Sequence, residues 1–331
     1  MRFRATMMPT HRYWRRPLPC NPSIAVLLAT HNGEEYVAEQ ISSVLAQDAV
    51  DVTVFVSDDA SQDDTLAIIR SMAESDRRLQ ILEPGEFGSA GKNFYRLIRD
   101  TDVDGFDAVA FCDQDDIWEP WKLRRHFELL TGTGPNPDLG RFDAVSSNVM
   151  TFDASGKTQL IVKNQSQRLL DYAFESGGPG STFLLRSGSY AFIRATLLDP
   201  SSTASQVPSH DWCIYALIRA RNGRWFIDGE PSVRYRQHEK NVLGANQGWR
   251  QHWARFAQIA NGNHRRDTAA VTSAVAPISR GKQAQRLQWL QERVGRRDFT
   301  SRLQLARRAS LFRRRRRDQL ALAAFILLGI W

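Results

Sequence analysis

Between residues 24 and 130, strand-length apolar runs alternate with apolar residues at helical spacing, and this alternation constrains the fold more than any other feature. Residues 24–29 are apolar throughout and are closed by the polar turn Thr30, His31, Asn32, Gly33. A run that is apolar at every position, rather than at every second one, reads as a strand buried on both faces. Val37, Ile41, Val44 and Leu45 then recur at helical spacing, and residues 52–56 give a second strand closed by Ser57, Asp58 and Asp59. Ser61 and Asp64 have the spacing of a capping box ahead of a helix carrying Leu66, Ile69 and Met72, with a third strand at 79–82. A helix bearing Phe94, Leu97 and Ile98 leads into a strand at 108–112, which stops at Asp113, Gln114, Asp115, Asp116; Pro120 opens the next helix, with Leu123, Phe127 and Leu130 on one face.

Such units build a mainly parallel sheet with helices on both faces, and ligands gather at the carboxyl ends of its strands. The pairs Asp58/Asp59 and Asp113/Asp115 both fall at such ends, so they are expected to share one crevice. From residue 168 the pattern loosens. A turn at Gly177, Gly178, Pro179, Gly180 precedes a strand at 182–185, a helix after Ser209, His210 and Asp211, and two β-rich pieces at 225–228 and 233–238.

The net charge of +8 is unevenly spread: residues 241–331 carry 18 Lys/Arg against 4 Asp/Glu, which leaves residues 1–240 net acidic. Three cysteines, Cys20, Cys112 and Cys213, with no CxxC spacing, argue against a disulfide framework or a cysteine-bound zinc and fit a reducing cytosol. The first twenty residues are arginine-rich without the apolar stretch of a secretory signal. Residues 320–331 are apolar, but twelve residues fall short of the ~20 that cross a bilayer as a helix. Next to Arg313–Arg317 they pair a charge cluster with an apolar segment, the two signals that hold a protein at an anionic membrane surface. The segment either lies in that interface or packs on the body. Nucleic acid competes for the same arginines, but the tail shows no base-reading module.

Asp113 and Asp115 straddle one residue at a strand tip, a spacing that can hold Mg²⁺ or Mn²⁺ and so neutralise a diphosphate leaving group. The competing reading is a solvated turn that caps the following helix. Asp58 and Asp59 are either turn residues or a carboxylate that reads the imide N–H of uracil or thymine. The segment Gly88, Ser89, Ala90, Gly91, Lys92, Asn93 opens a helix whose free N–H groups and lysine can meet phosphate. Two acidic strand ends also suit a phosphoacceptor receiver domain, which is far shorter than this chain.

Taken in order, ATHNGEEYVAEQISSVLAQ, VSDDASQDDT, GSAGKNF, CDQDDIWEPWKL, GGPGSTFLLR, SHDW and YRQHEKN make residues 22–242 resemble a family 2 glycosyltransferase of the GT-A fold, of the bacterial rhamnosyltransferase-like kind. The resemblance implies three segments: a basic arm at 1–22, a GT-A domain at 23–243, and a basic helical extension at 244–331. It implies that Thr30, Asn32 and Asp59 hold the nucleotide, with Asp58 in support and Lys92 beside the phosphates. Asp115 would ligate the metal, with Asp113 nearer the ribose. Asp211 stands where relatives place the general base; its competing role is a helix N-cap. His238 is either a metal ligand or structural. His31 and Ser181 depart from the family pattern, where an aromatic residue and a cysteine are common.

The function so implied is inverting, metal-dependent transfer from a dTDP- or UDP-sugar, rhamnose among the candidates, to a saccharide or lipid-linked acceptor of the cell surface. The place is the cytoplasmic face of a membrane. The alternative of another class is a non-catalytic nucleotide-sugar or anionic-surface binder that keeps the fold.

Overall fold

The computed structural model describes residues 21–134, 137–238 and 262–331. The N-terminal arm up to residue 20, the boundary expected near residue 244 and the end of the YRQHEKN motif lie outside the described residues.

The expected alternation is present. Strand β1 (Ser23–Thr30) leads to helix α1 (Val37–Leu45), β2 (Asp51–Asp58), α2 (Thr65–Ser75), β3 (Leu79–Ile81), α3 (Ala90–Asp100) and β4 (Ala108–Cys112). A short strand β5 (Ile117–Trp118) then precedes α4 (Lys122–Thr131). Strands β1, β2, β3 and β4 pair in parallel, and every residue of β4 is buried, as its uninterrupted apolar run requires. Ser61 and Asp64 form no capping box: Asp64 makes no side-chain cap, and the Ser61 hydroxyl turns back to Asp58 instead.

Residues 144–161, which carry no strong pattern, supply β6 (Ala144–Ser147), β7 (Val149–Asp153) and β8 (Thr158–Ile161). After them come β9 (Leu184–Arg186), α5 (Ser187–Leu198), α6 (His210–Ala220), β10 (Trp225–Asp228) and β11 (Val233–Gln237). The strand expected at 182–185 begins later than its apolar run, because Gly180–Thr182 forms a 3₁₀ turn first. The main sheet has seven strands in the order β10-β6-β9-β4-β1-β2-β3, with β9 alone antiparallel to its neighbours. A second sheet, β5-β11-β7-β8, carries β11 and residue 238 back beside the loop after β4.

The described part of the extension comprises α7 (Asn263–Val275), α8 (Gly281–Gly295), α9 (Phe299–Arg307) and α10 (Arg316–Leu328). These helices share the core of the sheet domain: Val271, Leu287, Leu290, Leu305, Phe312 and Ile326 belong to the same buried cluster as Phe94, Tyr172 and Phe174. Phe174 stacks on Phe312 at 4.3 Å and on Trp331 at 5.8 Å. Of the arginine run, Arg314 is buried, its guanidinium 3.4 Å from Glu175 and 4.0 Å from Asp171, while Arg313 donates to the Phe174 carbonyl at 2.9 Å. Half of the apolar tail therefore packs on the body. The other half does not: Leu320, Ala321, Ala324, Leu327 and Leu328 repeat at helical spacing along one exposed face of α10. No helix among the described residues is long and apolar enough to cross a membrane.

Candidate active site

Register brings the acidic turns together. Thr30 pairs with Asp58 across β1 and β2, and Leu28 pairs with Cys112 across β1 and β4. The end of β1 therefore lies between the loop carrying Asp58 and Asp59 and the loop carrying Asp113 and Asp115. Asp58 is buried and serves as an anchor. Its Oδ2 accepts the Thr30 hydroxyl at 2.8 Å and the Ser61 hydroxyl at 2.6 Å, and its Oδ1 accepts the Ser61 N–H at 2.9 Å.

Asp59 is held differently. Its Oδ1 accepts the N–H groups of Phe87 and of Gly88, the latter at 3.1 Å, while its Oδ2 has no partner among the described residues. The Asp59 carbonyl accepts the His31 Nδ1–H at 2.5 Å. Asn32, in a left-handed conformation at φ 47°, accepts the Gln62 N–H at 2.7 Å, so its carbonyl oxygen is spent on ordering the loop.

Two side chains without a distinguishing pattern of their own tie these loops. Gln114 accepts the His31 N–H at 2.8 Å and donates to the His31 carbonyl at 2.9 Å, pinning the acidic turn after β4 to the loop after β1. A Cβ on Gly33 would lie 2.4 Å from the Gln114 amide carbon, which explains glycine there. Asn93, buried at the start of α3, donates to the Ser57 carbonyl at 2.9 Å and to the Thr30 carbonyl at 3.3 Å. The motif strings contain both residues, but only the convergence of the loops reveals their work. Lys92 lies one position away with its side chain exposed, its N–H held by Ser89 at 3.3 Å.

Asp113, Asp115 and Asp211 lie near one another. Burial, then the charges of Asp115 and Asp211, push the Asp113 carboxyl up to about 7. The Gly180–Thr182 turn packs on β4 and against His210 and Asp211, which brings the start of the helix bearing Asp211 to that end of the sheet. Glycines make the approach possible. A Cβ on Gly180 would meet His210 Nε2 at 2.5 Å and Asp211 Cβ at 3.4 Å, and one on Gly91 would meet the Pro208 carbonyl at 2.3 Å. Ser209, not Asp211, is the N-cap of α6. Asp211 Oδ1 accepts the Ser209 hydroxyl and the Trp212 N–H, the latter at 2.6 Å, and Oδ2 has no partner among the described residues. His210 is buried against Phe94, with ring centroids 3.7 Å apart, and desolvation lowers its pKa to about 4.

His238 reaches the same place from the small sheet: its Nε2 lies 2.8 Å from Asp115 Oδ2 and its ring 5.0 Å from that of Tyr36. The neighbouring Arg236 donates to the Asp115 carbonyl at 3.0 Å. Asp116 is fully buried, and burial followed by the charges of Asp115 and Asp113 raises its pKa well above the usual carboxylate range. Among the described residues no three His, Cys, Asp or Glu side chains form a complete metal cage. Asp115 with Asp113 or His238 does fit the one or two protein ligands by which Mg²⁺-type ions are held when phosphate oxygens complete the shell.

The Rossmann-like sheet, with acidic loops converging at its carboxyl edge, has the architecture of the GT-A fold. The model of the glycosyl transferase family 2 matches residues 25–193, from β1 into α5. The chain is 36% identical over 254 residues to dTDP-rhamnosyl transferase RfbG of Shigella flexneri, covering 76% of this chain and 86% of that one. It is 30% identical over 129 residues to the succinoglycan biosynthesis protein ExoO of Rhizobium meliloti, spanning 38% of this chain and 34% of ExoO. Among solved structures, S. aureus TarS 1-349 in complex with UDP superposes with a TM-score of 0.55 over 93% of this chain and 90% of that one, at 14% identity, a likeness of fold. The chain belongs to glycosyl transferase family 2 and is a glycosyltransferase.

Proposed function

We propose that this enzyme transfers rhamnose from a dTDP-linked donor, with inversion and with Mg²⁺ or Mn²⁺, to a saccharide or lipid-linked acceptor in cell-surface polysaccharide synthesis. The observation that carries the reading is geometric: strand register sets the loops carrying Asp59 and Asp113/Asp115 side by side at one edge, and Gly180 packs against the start of the helix that bears Asp211. The resemblance to RfbG supports the donor. Asp59 Oδ1 is held by two N–H groups, and its Oδ2, without a partner among the described residues, would accept the imide N–H of a thymine or uracil.

Asp115 would hold the ion, with Asp113 or His238 beside it. When bound, a divalent ion supplies neutralisation of the charge that gathers on the departing diphosphate. Asp211 would take the proton from the acceptor hydroxyl on Oδ2, its Oδ1 fixed by Ser209 and Trp212 so that the open oxygen keeps one direction. A single displacement assisted by this one carboxylate would invert the anomeric configuration. His238, bonded to Asp115, orients that carboxylate.

The exposed face of α10 supports a place at an anionic membrane. Leu320 and Leu328 are 73% and 70% exposed, and Arg315, Arg316 and Arg317 are exposed where that helix begins. A lipid-linked acceptor would be met there.

The test is a donor screen with Mn²⁺ followed by NMR of the product. Transfer from dTDP-rhamnose with inverted anomeric configuration is expected. Retention of configuration, or a donor confined to guanosine nucleotides, would overturn the reading.

A further inference from the structure

We infer that the helical extension carries a second binding site, a cationic groove around Trp289 that takes a diphosphate group and is separate from the donor crevice. A cavity of about 410 Å³ opens between α8 and the segment before α10, with Leu169 and Leu311 on its apolar side and Lys282, Arg286 and Arg308 on its polar side. A second cavity of about 260 Å³ shares Trp289 and Arg308 with it and adds Arg293 and Arg307. None of these residues belongs to the acidic crevice.

Five cations thus surround one indole, and the carboxylates near them are few. Arg293 is paired with Glu292 at 2.9 Å and fixed by Gln304 at 2.8 Å. Lys282, Arg286, Arg307 and Arg308 have no carboxylate at ion-pair distance among the described residues, and segments 1–20, 135–136 and 239–261 contribute a single acid, Glu239. Crowding like charges in this way costs free energy that a bound anion would recover. The guanidiniums are also held in place. The Arg308 carbon lies 4.0 Å and the Arg293 carbon 4.7 Å from the centre of the Trp289 ring; Arg293 also bonds Gln304, Glu292 and the Trp289 carbonyl, which leaves Arg308, Arg286, Arg307 and Lys282 to meet phosphate oxygens.

The lining decides the class of ligand. Bare phosphate would use only the cations, whereas a diphosphate joined to an apolar body also covers Leu169 and Leu311. Single-stranded nucleic acid is disfavoured because its bases need open aromatic faces, and Arg308 already lies over Trp289. The diphosphate can come from a prenyl diphosphate or from free pyrophosphate.

The experiment titrates the full chain, in EDTA so that metal-dependent donor binding is silent, with inorganic pyrophosphate, with geranyl diphosphate and with an RNA oligomer. Saturable binding of a diphosphate is expected, weakened about ten-fold or more in Arg286→Gln/Arg308→Gln, while Mn²⁺-dependent transfer to a soluble acceptor stays within about two-fold. Tighter binding of geranyl diphosphate assigns the source to a prenyl lipid, and equal binding assigns it to free diphosphate. Both replaced arginines are on the surface, and a cooperative thermal melt verifies the fold; the single variant Arg308→Gln replaces the double one should that melt be lost. Affinity unchanged by the substitutions, absence of saturable diphosphate binding, or RNA binding tighter than either diphosphate would overturn the assignment.

Discussion

Asp59 and Asp211 are held alike: backbone N–H groups occupy one carboxylate oxygen of each, aided at Asp211 by a hydroxyl, and the other oxygen has no partner among the described residues. That asymmetry turns an ordinary loop carboxylate into a directed acceptor, and it gives separable expectations. Asp59→Asn keeps the size of the side chain but offers an amide where the base presents its own donor, so the donor KM should rise about ten-fold or more with little change in kcat. Gly33→Ala should act through Gln114: the added Cβ at 2.4 Å displaces the amide that joins His31 to the acidic turn, and losing these two solvent-exposed hydrogen bonds costs about 1 kcal/mol. Denaturant midpoints together with donor titration would verify this; an unchanged donor affinity would show that Gln114 does not set the crevice. The aspartates themselves were legible in the sequence because they end uninterrupted apolar runs. Gln114 and Asn93 were not, since their partners lie 83 and 63 or fewer residues away and become neighbours only when β1, β2 and β4 align. Asn32 shows the converse, for the residue is where the motif places it but its side chain orders Gln62.

At the scale of elements, the extension is locked to the sheet domain by buried polar contacts. His264 Nε2–H donates to the Phe174 carbonyl at 3.1 Å and Nδ1 accepts the Trp331 indole N–H at 2.9 Å, an arrangement that needs the neutral ring. Burial, then the charge of Arg313, lowers the His264 pKa to about 4 from an ordinary value near 6.5. Between those values the unfolded chain binds a proton that the folded chain refuses, so stability is complete above pH 6.5 and falls as pH drops toward 4, by at most about 1.4 kcal/mol per pH unit for this histidine. Urea melts from pH 7 to pH 5 should show that slope, and His264→Gln should make it shallower. Arg314 is the second lock, with a side chain only 1% exposed. Arg314→Leu leaves Asp171 and Glu175 short of a cation and should cost about 3 kcal/mol in the same melts. The arginine run had suggested a surface charge cluster. Arg314 lies inside because its place just ahead of α10 brings it against Glu175, a pairing between residues 139 apart that sequence spacing cannot reveal.

Over the described residues, one sheet edge gathers the acidic loops and one helix face exposes an apolar stripe. Replacing Leu320, Leu327 and Leu328 with Gln should abolish retention on anionic vesicles and leave transfer to a soluble acceptor unchanged. Retention of the triple variant would move the membrane contact elsewhere. The parallel sheet was readable from periodicity alone, whereas β6 to β8 were not: they are only four or five residues long, and β6 and β7 are completed by β9, β10 and β11, which come later in the chain. The central claim is that aspartates from separate strand ends and a distant helix form one metal-dependent donor site. Calorimetric titration of dTDP-rhamnose into the wild type, Asp115→Ala and Asp211→Asn, with and without Mn²⁺, tests it most directly. The account predicts Mn²⁺-dependent binding by the wild type, its loss in Asp115→Ala, and its retention without turnover in Asp211→Asn. Mn²⁺-dependent binding of normal strength by Asp115→Ala, or normal turnover by Asp211→Asn, would contradict it.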